Sequence, residues 1–185
     1  IKTALLDELI PQVQSALASD PTDSYLLQEE VQCGYMQTNQ GLTRPAYWRI
    51  IYCLGNFHAF WWKPAEYCAP DEKSYIPLED SEIRAFRLQP LLDFAEELKE
   101  LSGLDWFSTE ICLPEKPSFS KHQVRSENGS MLPLVAIDYF NDQCDVHVQS
   151  QWHGAPPDQF VNTVARRFAE HATILSRINK SRKAG

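Results

Sequence analysis

The sequence is short of the residues that build disulfide scaffolds, zinc knuckles and phosphate-binding loops. Its 5 cysteines form no C-x-x-C pair and are odd in number, which excludes a disulfide framework and predicts reduced thiols in a cytoplasmic protein. Its 7 glycines form no cluster of the kind that cradles phosphates. No basic stretch precedes a long apolar run, so the sequence shows neither a signal peptide nor a membrane span.

Positive charge is scarce as well. The chain has 17 Lys and Arg residues against 25 Asp and Glu residues, a formal net charge of -8. It therefore has no net positive field that would attract the phosphate backbone of a nucleic acid. We therefore exclude nucleic acid as a general partner. With 43% hydrophobic residues, the 185-residue chain is expected to fold around one sizeable core.

Apolar spacing and breaker residues divide the chain into three parts. Residues 1–24 form a leading helical segment with Pro11 inside it, residues 25–178 form the main domain, and residues 179–185 form a basic, frayed tail. In the main domain, Tyr47–Leu54 and Phe57–Lys63 predict a hairpin around Gly55-Asn56.

The rest of the main domain alternates between helix and strand patterns. A helix is expected from a cap at Asp80 or Ser81 to Ser102-Gly103, divided near Pro90, and a last helix over Asp158–Arg177. Strands are expected over 104–113 and 132–140, joined by a long polar loop. The predicted fold class is α+β, a mostly antiparallel sheet with helices packed on one side.

Two acidic residues interrupt apolar strands. Glu110 and Asp138 would each be costly to bury without a cation or a donor nearby, and on neighbouring strands they could meet. With an amide oxygen from Asn141 they would suit Mg²⁺ held together with phosphate oxygens. The alternatives are that each carboxylate ends its strand at the surface, or that it pairs with Arg49 or Lys63.

The order of these elements resembles the C-terminal half of the ATP-grasp domain over nearly the whole chain. The resemblance rests on a Gln-Glu-containing strand, an arginine inside the next strand, a return strand ending in a cation, a long helix, and acids in two later strands. It implies ATP and Mg²⁺ as cofactors, and a reaction that joins a small-molecule carboxylate to an amine or thiol through an acylphosphate.

The resemblance also implies roles for individual residues. Tyr25–Val31 would be the hinge strand, and the base of the nucleotide would lie against Gln28, Glu29, Glu30 and Val31. Arg49 would bind phosphate through its planar fork, and Lys63 would bind phosphate or an acidic substrate. A pairing within the sheet is the alternative for both cations.

The metal site implied by the resemblance contains Glu110, Asp138 and an asparagine. Asn141 lies three residues after Asp138, so an ideal strand would point the two side chains to opposite faces. A bulge at Tyr139-Phe140 would restore the geometry, and without it Asp142 becomes the third ligand.

The lid lysine and glycine-rich flap of ATP-grasp enzymes would precede the hinge, where this sequence has only a helix. We therefore expect either part of a longer ligase or a degenerate, catalytically silent module that binds a nucleotide or a partner protein. A small-molecule kinase and a homodimer both stay open. His147 and His153 fit no common zinc motif, and Trp48, Trp61, Trp62 and Trp106 are assigned to the core.

Overall fold

The computed structural model describes residues 6–20, 22, 31–38, 41–115, 122–125, 130–141 and 147–183. Within them the helices are α1 (Leu6–Ser19), α2 (Asp80–Ala85), α3 (Gln89–Ser102) and α4 (Asp158–Lys183). The strands are β1 (Tyr35–Gln37), β2 (Thr43–Pro45), β3 (Tyr47–Cys53), β4 (Asn56–Trp62), β5 (Tyr75–Pro77), β6 (Trp106–Cys112), β7 (Gln123–Arg125), β8 (Met131–Pro133) and β9 (Val135–Asn141). The α+β class predicted from the sequence is confirmed.

The chain divides into two compact units, Ile1–Glu30 and Val31–Gly185. The first contains α1, which runs through Pro11 as a single helix. The second contains all the described strands and the other three helices. In the described part of the chain, no helix combines the length and the apolar character needed to cross a membrane.

A five-stranded antiparallel sheet in the order β5-β4-β3-β6-β9 is the centre of the second unit. The predicted hairpin is its β3–β4 pair, and the turn lies one residue earlier than expected, at Leu54-Gly55. Both turn residues have positive φ, 46° and 95°, as a primed hairpin turn requires. This geometry leaves Asn56 free to pair with Cys53 as the first residue of β4.

The two faces of the sheet have separate cores. On one face, Trp48, Trp61 and Ile111 pack with Leu91 and Ala95 of α3. On the other face, a second set of strand residues packs with α4; the set comprises Ile51, Cys53, Phe60 and Tyr75, joined by Phe160 and Val164. The prediction of helices on one side is therefore wrong. The near-continuous apolar run of β3 accounts for the difference, because a strand covered on both faces has no polar alternation.

The helix boundaries follow local chemistry. The chain breaks between α2 and α3 just before Pro90, as predicted, and α3 ends at Gly103 with a left-handed φ of 64°. The cap of α2 is Glu79 rather than Asp80 or Ser81, because Glu79 and Glu82 form a reciprocal capping box.

Two further predictions of element boundaries need correction. The last helix runs to Lys183 rather than Arg177, so the predicted frayed tail is helical over most of its length. The polar connection between β6 and β9 contains the small antiparallel hairpin β7–β8, which the sequence pattern did not indicate.

Candidate functional site

Three neighbouring strands place a cation and two acids in one row across the sheet. Arg49 of β3 is the direct partner of Glu110 of β6, and Glu110 is the direct partner of Asp138 of β9. Directly opposed residues of antiparallel strands point to the same face, so the three side chains share the face that α4 covers further along the strands. The structure therefore places the two predicted acids on adjacent strands, and it also contains the Arg49–Glu110 ion pair that the alternative interpretation predicts.

Arg49 has polar contacts with three side chains, those of Glu110, Ser108 and Tyr75. Its Nη1 lies 3.4 Å from Glu110 Oε1, and the two side chains are only 15% and 10% exposed. Its Nη2 donates to Ser108 Oγ at 3.2 Å. Its Nε is buried without a hydrogen-bond partner. A buried donor of this kind is unfavourable until an acceptor reaches it, so the guanidinium has capacity for an anion.

Glu110 has a second polar partner besides Arg49. The Tyr47 hydroxyl donates a hydrogen bond to Glu110 Oε2. Burial raises the pKa of Glu110, and the negative charge of Asp138 raises it further, although the Tyr47 hydrogen bond and Arg49 oppose the shift. Burial and the adjacent Glu110 likewise raise the pKa of Tyr47, which keeps the phenol protonated as a donor. The row therefore contains more negative charge than Arg49 alone compensates.

Aromatic rings surround the guanidinium. Arg49 Cζ lies 5.5 Å from the ring centroid of Trp62 and 5.9 Å from that of Tyr75. Tyr47 meets Trp62 edge to face at 5.0 Å. Rings at these distances attract a cation and exclude water from it. The charge of Arg49 is therefore only weakly screened from its close neighbours.

The pairing of β9 with β6 is irregular on both sides of Asp138. Ser108 pairs with Asn141 and Glu110 pairs with Asp138, so a step of two residues on β6 opposes a step of three on β9, and the register shifts between them. Position 141 is thereby opposite Ser108, on the row next to Glu110. Asp142 lies outside the described residues. Within the described ranges, no three His, Cys, Asp or Glu side chains gather as a metal cluster.

The structure gives Lys63 partners of its own. Its Nζ lies 2.6 Å from Glu72 Oε2, and Glu72 is also 3.7 Å from Arg44. This corresponds to the alternative in which the lysine forms an ion pair. Of the predicted base-binding residues, Gln28, Glu29 and Glu30 lie outside the described part of the chain. Val31 is half-buried and belongs to no strand.

The remaining candidates from the sequence are two histidines and the tryptophans. The rings of His147 and His153 both contact Trp152. Trp48 and Trp61 are fully buried in the core, as assigned. Trp62 packs against the second core, as assigned, and also contacts Arg49 in the site.

Sequence reasoning missed Tyr47 and Ser108. Each stands two residues before a predicted site residue, Tyr47 before Arg49 and Ser108 before Glu110. Residues two apart on a strand share a face, so this spacing was the signal that could have identified both. No such spacing indicated Tyr75. It lies on β5, and the pairing of β5 with β4 depends on the connection between the two strands.

Comparisons with protein-family models, with curated proteins and with solved structures found no match. The site is therefore characterised by its own chemistry. It offers a desolvated arginine with an unpartnered Nε, a neighbouring pair of carboxylates, the Tyr47 hydroxyl as a donor and the Ser108 hydroxyl as an acceptor from Arg49. Such a set can bind an anion through the arginine and a hard cation through the carboxylates.

Proposed function

We propose that this chain is the nucleotide- and magnesium-binding part of an ATP-dependent ligase that joins a carboxylate to an amine or thiol through an acylphosphate. The observation that carries the proposal is the row formed by Arg49, Glu110 and Asp138 on three adjacent strands. An antiparallel sheet with an arginine on one strand and acids on the next two is what the ATP-grasp resemblance requires of a C-terminal half.

The residues present fit a magnesium ion. Glu110 and Asp138 would hold it, with an oxygen from position 141 as the third ligand from the protein. When bound, the ion supplies positive charge that neutralises phosphate oxygens. The negative charge of Asp138 contributes to the raised pKa of Glu110, so a divalent cation between the two carboxylates would relieve their repulsion.

The charges in the row also predict an order of binding. Two carboxylates against one guanidinium leave a net negative site, which repels a triphosphate unless a divalent cation comes with it. Arg49 can then use its unpartnered Nε toward a phosphate oxygen while its Nη1 exchanges Glu110 for phosphate. Nucleotide binding should therefore depend strongly on Mg²⁺.

Calorimetric titration of the full chain with ATP, with and without Mg²⁺, tests the proposal. We expect measurable binding only with Mg²⁺, and a loss of about tenfold or more in Glu110→Gln and Asp138→Asn. Glu72→Gln is the matched control, because Glu72 is an ion-paired acid that belongs to the Lys63 pair and not to the row. Equal losses in Glu72→Gln and Glu110→Gln, or binding indifferent to Mg²⁺, would contradict the proposal.

A specific observation favours a second function, a catalytically silent nucleotide-binding module. Both oxygens of Glu110 already have partners within the protein, Arg49 on Oε1 and Tyr47 on Oε2. A carboxylate whose two oxygens already have partners within the protein binds a metal ion less strongly. Arg49 could then hold an anion without turnover.

An ADP-release assay separates the two. Wild type is incubated with Mg-ATP and a panel of small carboxylates, with and without amines, and Glu110→Gln serves as the background. ADP formation that depends on both substrates supports the ligase, ADP formation with one phosphorylated acceptor and no coupled product supports a kinase, and binding without ADP above background supports the silent module.

A further inference from the structure

Two cysteines meet at the end of β6, beside the candidate site. Cys112 is the last residue of β6, and Cys33 forms an isolated antiparallel bridge with Pro114. The bridge is fixed by two backbone hydrogen bonds, from Gly34 to Leu113 and from Glu115 to Gln32, each of 2.8 Å. Because Cys112 and Pro114 are two residues apart in an extended segment, Cys33 lies diagonally opposite Cys112 on one face.

The two thiols are in direct contact. A hydrogen bond joins Cys33 and Cys112, which are both unoxidised in this structure. Cys112 is fully buried, whereas Cys33 is partly exposed. One member of the pair is therefore accessible to a solute, and the other is reached only through it.

We propose that Cys33 and Cys112 form a reversible disulfide when a peroxide oxidises Cys33. The bond would join the segment around Cys33 to the strand that carries Glu110, two residues away from that carboxylate. Diagonal neighbours of an antiparallel pair lie slightly further apart than a disulfide spans, so the segment around Cys33 must shift towards β6 as the bond forms.

The environment assigns different roles to the two sulfur atoms. Cys33 is partly exposed, so it is the sulfur that meets a dissolved oxidant, and the hydrogen bond from Cys112 lowers its pKa. Cys112 is fully buried and is reached only through Cys33, so it is the sulfur that attacks the oxidised Cys33.

The reaction balances in two steps. The Cys33 thiolate attacks one oxygen of hydrogen peroxide, the O–O bond breaks, and a sulfenic acid and hydroxide result. The Cys112 sulfur then attacks the Cys33 sulfur and expels the second hydroxide, and the Cys112 proton passes to that hydroxide to give water. The two sulfur atoms lose two electrons in total, and the two peroxide oxygens gain them.

Cys68 provides an internal control. Its thiol contacts the carbonyl oxygens of Lys63 and Pro64, at 3.6 and 3.5 Å, rather than another thiol. Burial raises the pKa of Cys68. It should therefore stay unlinked under conditions that couple Cys33 to Cys112.

Peptide mapping of the full-length chain under non-reducing conditions, after treatment with hydrogen peroxide, tests the proposal. We expect a Cys33–Cys112 linked peptide that disappears on reduction with dithiothreitol, at the same yield in Cys68→Ser. In Cys112→Ala, Cys33 lacks its partner, so dimedone should label its sulfenic acid at least several-fold more than in wild type. Cys33→Ser should give no linked peptide.

Several results would overturn the proposal. One is wild-type Cys33 that oxidises to sulfinic acid without a linked peptide, and another is a link from Cys33 to Cys68 or Cys144 at a yield equal to that with Cys112. Dimedone labelling of Cys33 that is the same in wild type and Cys112→Ala would also reject it. If Cys112→Ala fails to fold, Cys112→Ser replaces it in the labelling experiment, and the wild-type mapping decides by itself.

Discussion

Tyr47 donates its hydroxyl hydrogen to Glu110 across the β3–β6 pair, so the central acid of the row is held by a neutral donor as well as by Arg49. The hydrogen bond limits the pKa shift of Glu110 but does not cancel it, because burial and Asp138 act in the opposite direction. Ionised Glu110 is therefore less favourable in the folded chain than in the unfolded chain.

The raised pKa of Glu110 predicts a pH dependence of stability. A group whose pKa is higher in the folded state contributes stability that is complete below its unfolded pKa and is lost as the pH rises through its folded pKa. As the pH rises above the ordinary carboxyl pKa of 4.5, the free energy of unfolding of wild type should thus fall relative to that of Glu110→Gln, which cannot titrate. Urea denaturation of both proteins at a series of pH values measures the difference.

Glu72→Gln supplies a control of opposite sign. Burial raises the pKa of Glu72, but the hydrogen bonds from Lys63 and the Ala69 amide and the charges of Lys63 and Arg44 together lower it in the folded chain. Its stabilising contribution is present above its unfolded pKa and is lost as the pH falls through its folded pKa. If the stability of wild type rises with pH relative to that of Glu110→Gln, as it should relative to that of Glu72→Gln, the assignment for Glu110 is rejected.

The two strand cations should differ in their effect on nucleotide binding. Arg49→Ala removes a desolvated fork with an unused Nε, so the loss should be about 1.5 to 3 kcal/mol, or about tenfold or more in Kd. Lys63→Ala removes a partner of Glu72 and should change Kd less. Titration with Mg-ATP measures both, and near-ultraviolet circular dichroism verifies folding.

Arg49→Lys refines this comparison. It keeps one positive charge beside Glu110 and loses the planar fork, so binding should remain weaker than in wild type while the fold is preserved. Losses for Lys63→Ala that equal or exceed those for Arg49→Ala would show that the phosphate contact lies with the Lys63–Glu72 pair instead.

The sequence was informative where one local signal decides the structure. The β3–β4 hairpin, the division of helices before Pro90 and the stop at Gly103 each follow from a turn or cap preference within a few residues. The adjacency of Glu110 and Asp138 was also predicted, because each lies in a short apolar pattern typical of a strand and the two strands were expected to pair.

The sequence was less informative where distant segments decide. Which face α4 covers depends on long-range packing of Phe160 and Val164 against β3 and β4, and the pattern of α4 alone does not specify it. The partner of Lys63 was equally hidden, since Glu72 reaches it through an irregular connection without periodicity. The bulge in β9 could only be stated as a requirement, because strand register follows from pairing.

Two leucines of α3 should differ sharply in their contribution to stability. Leu91 is fully buried between α3 and the sheet, so Leu91→Ala should lower the free energy of unfolding by about 2 to 5 kcal/mol through lost burial and the cavity it leaves. Leu101 is 74% exposed on the same helix, and Leu101→Ala should stay within about 0.5 kcal/mol of wild type. Urea denaturation measures both, and a similar cost at the two sites would contradict the docking of α3 on this face.

The β3–β4 turn should depend on Gly55 for its backbone alone. Gly55 has a φ of 95°, and a Cβ added there would meet nothing within 4 Å, so Gly55→Ala introduces conformational strain without a steric clash. We expect a loss of about 1 to 2 kcal/mol in the free energy of unfolding, because alanine pays for the left-handed region that glycine enters freely.

Gly34→Ala is the matched control for this turn, since Gly34 has no left-handed φ and its added Cβ would lie 3.4 Å from the Leu113 carbonyl oxygen, an ordinary contact. Its loss should be clearly smaller than that of Gly55→Ala, because no backbone strain accompanies the new methyl group. Thermal and urea denaturation of the two variants are compared directly. Equal losses would mean that Gly55 does not hold the positive φ that this turn requires.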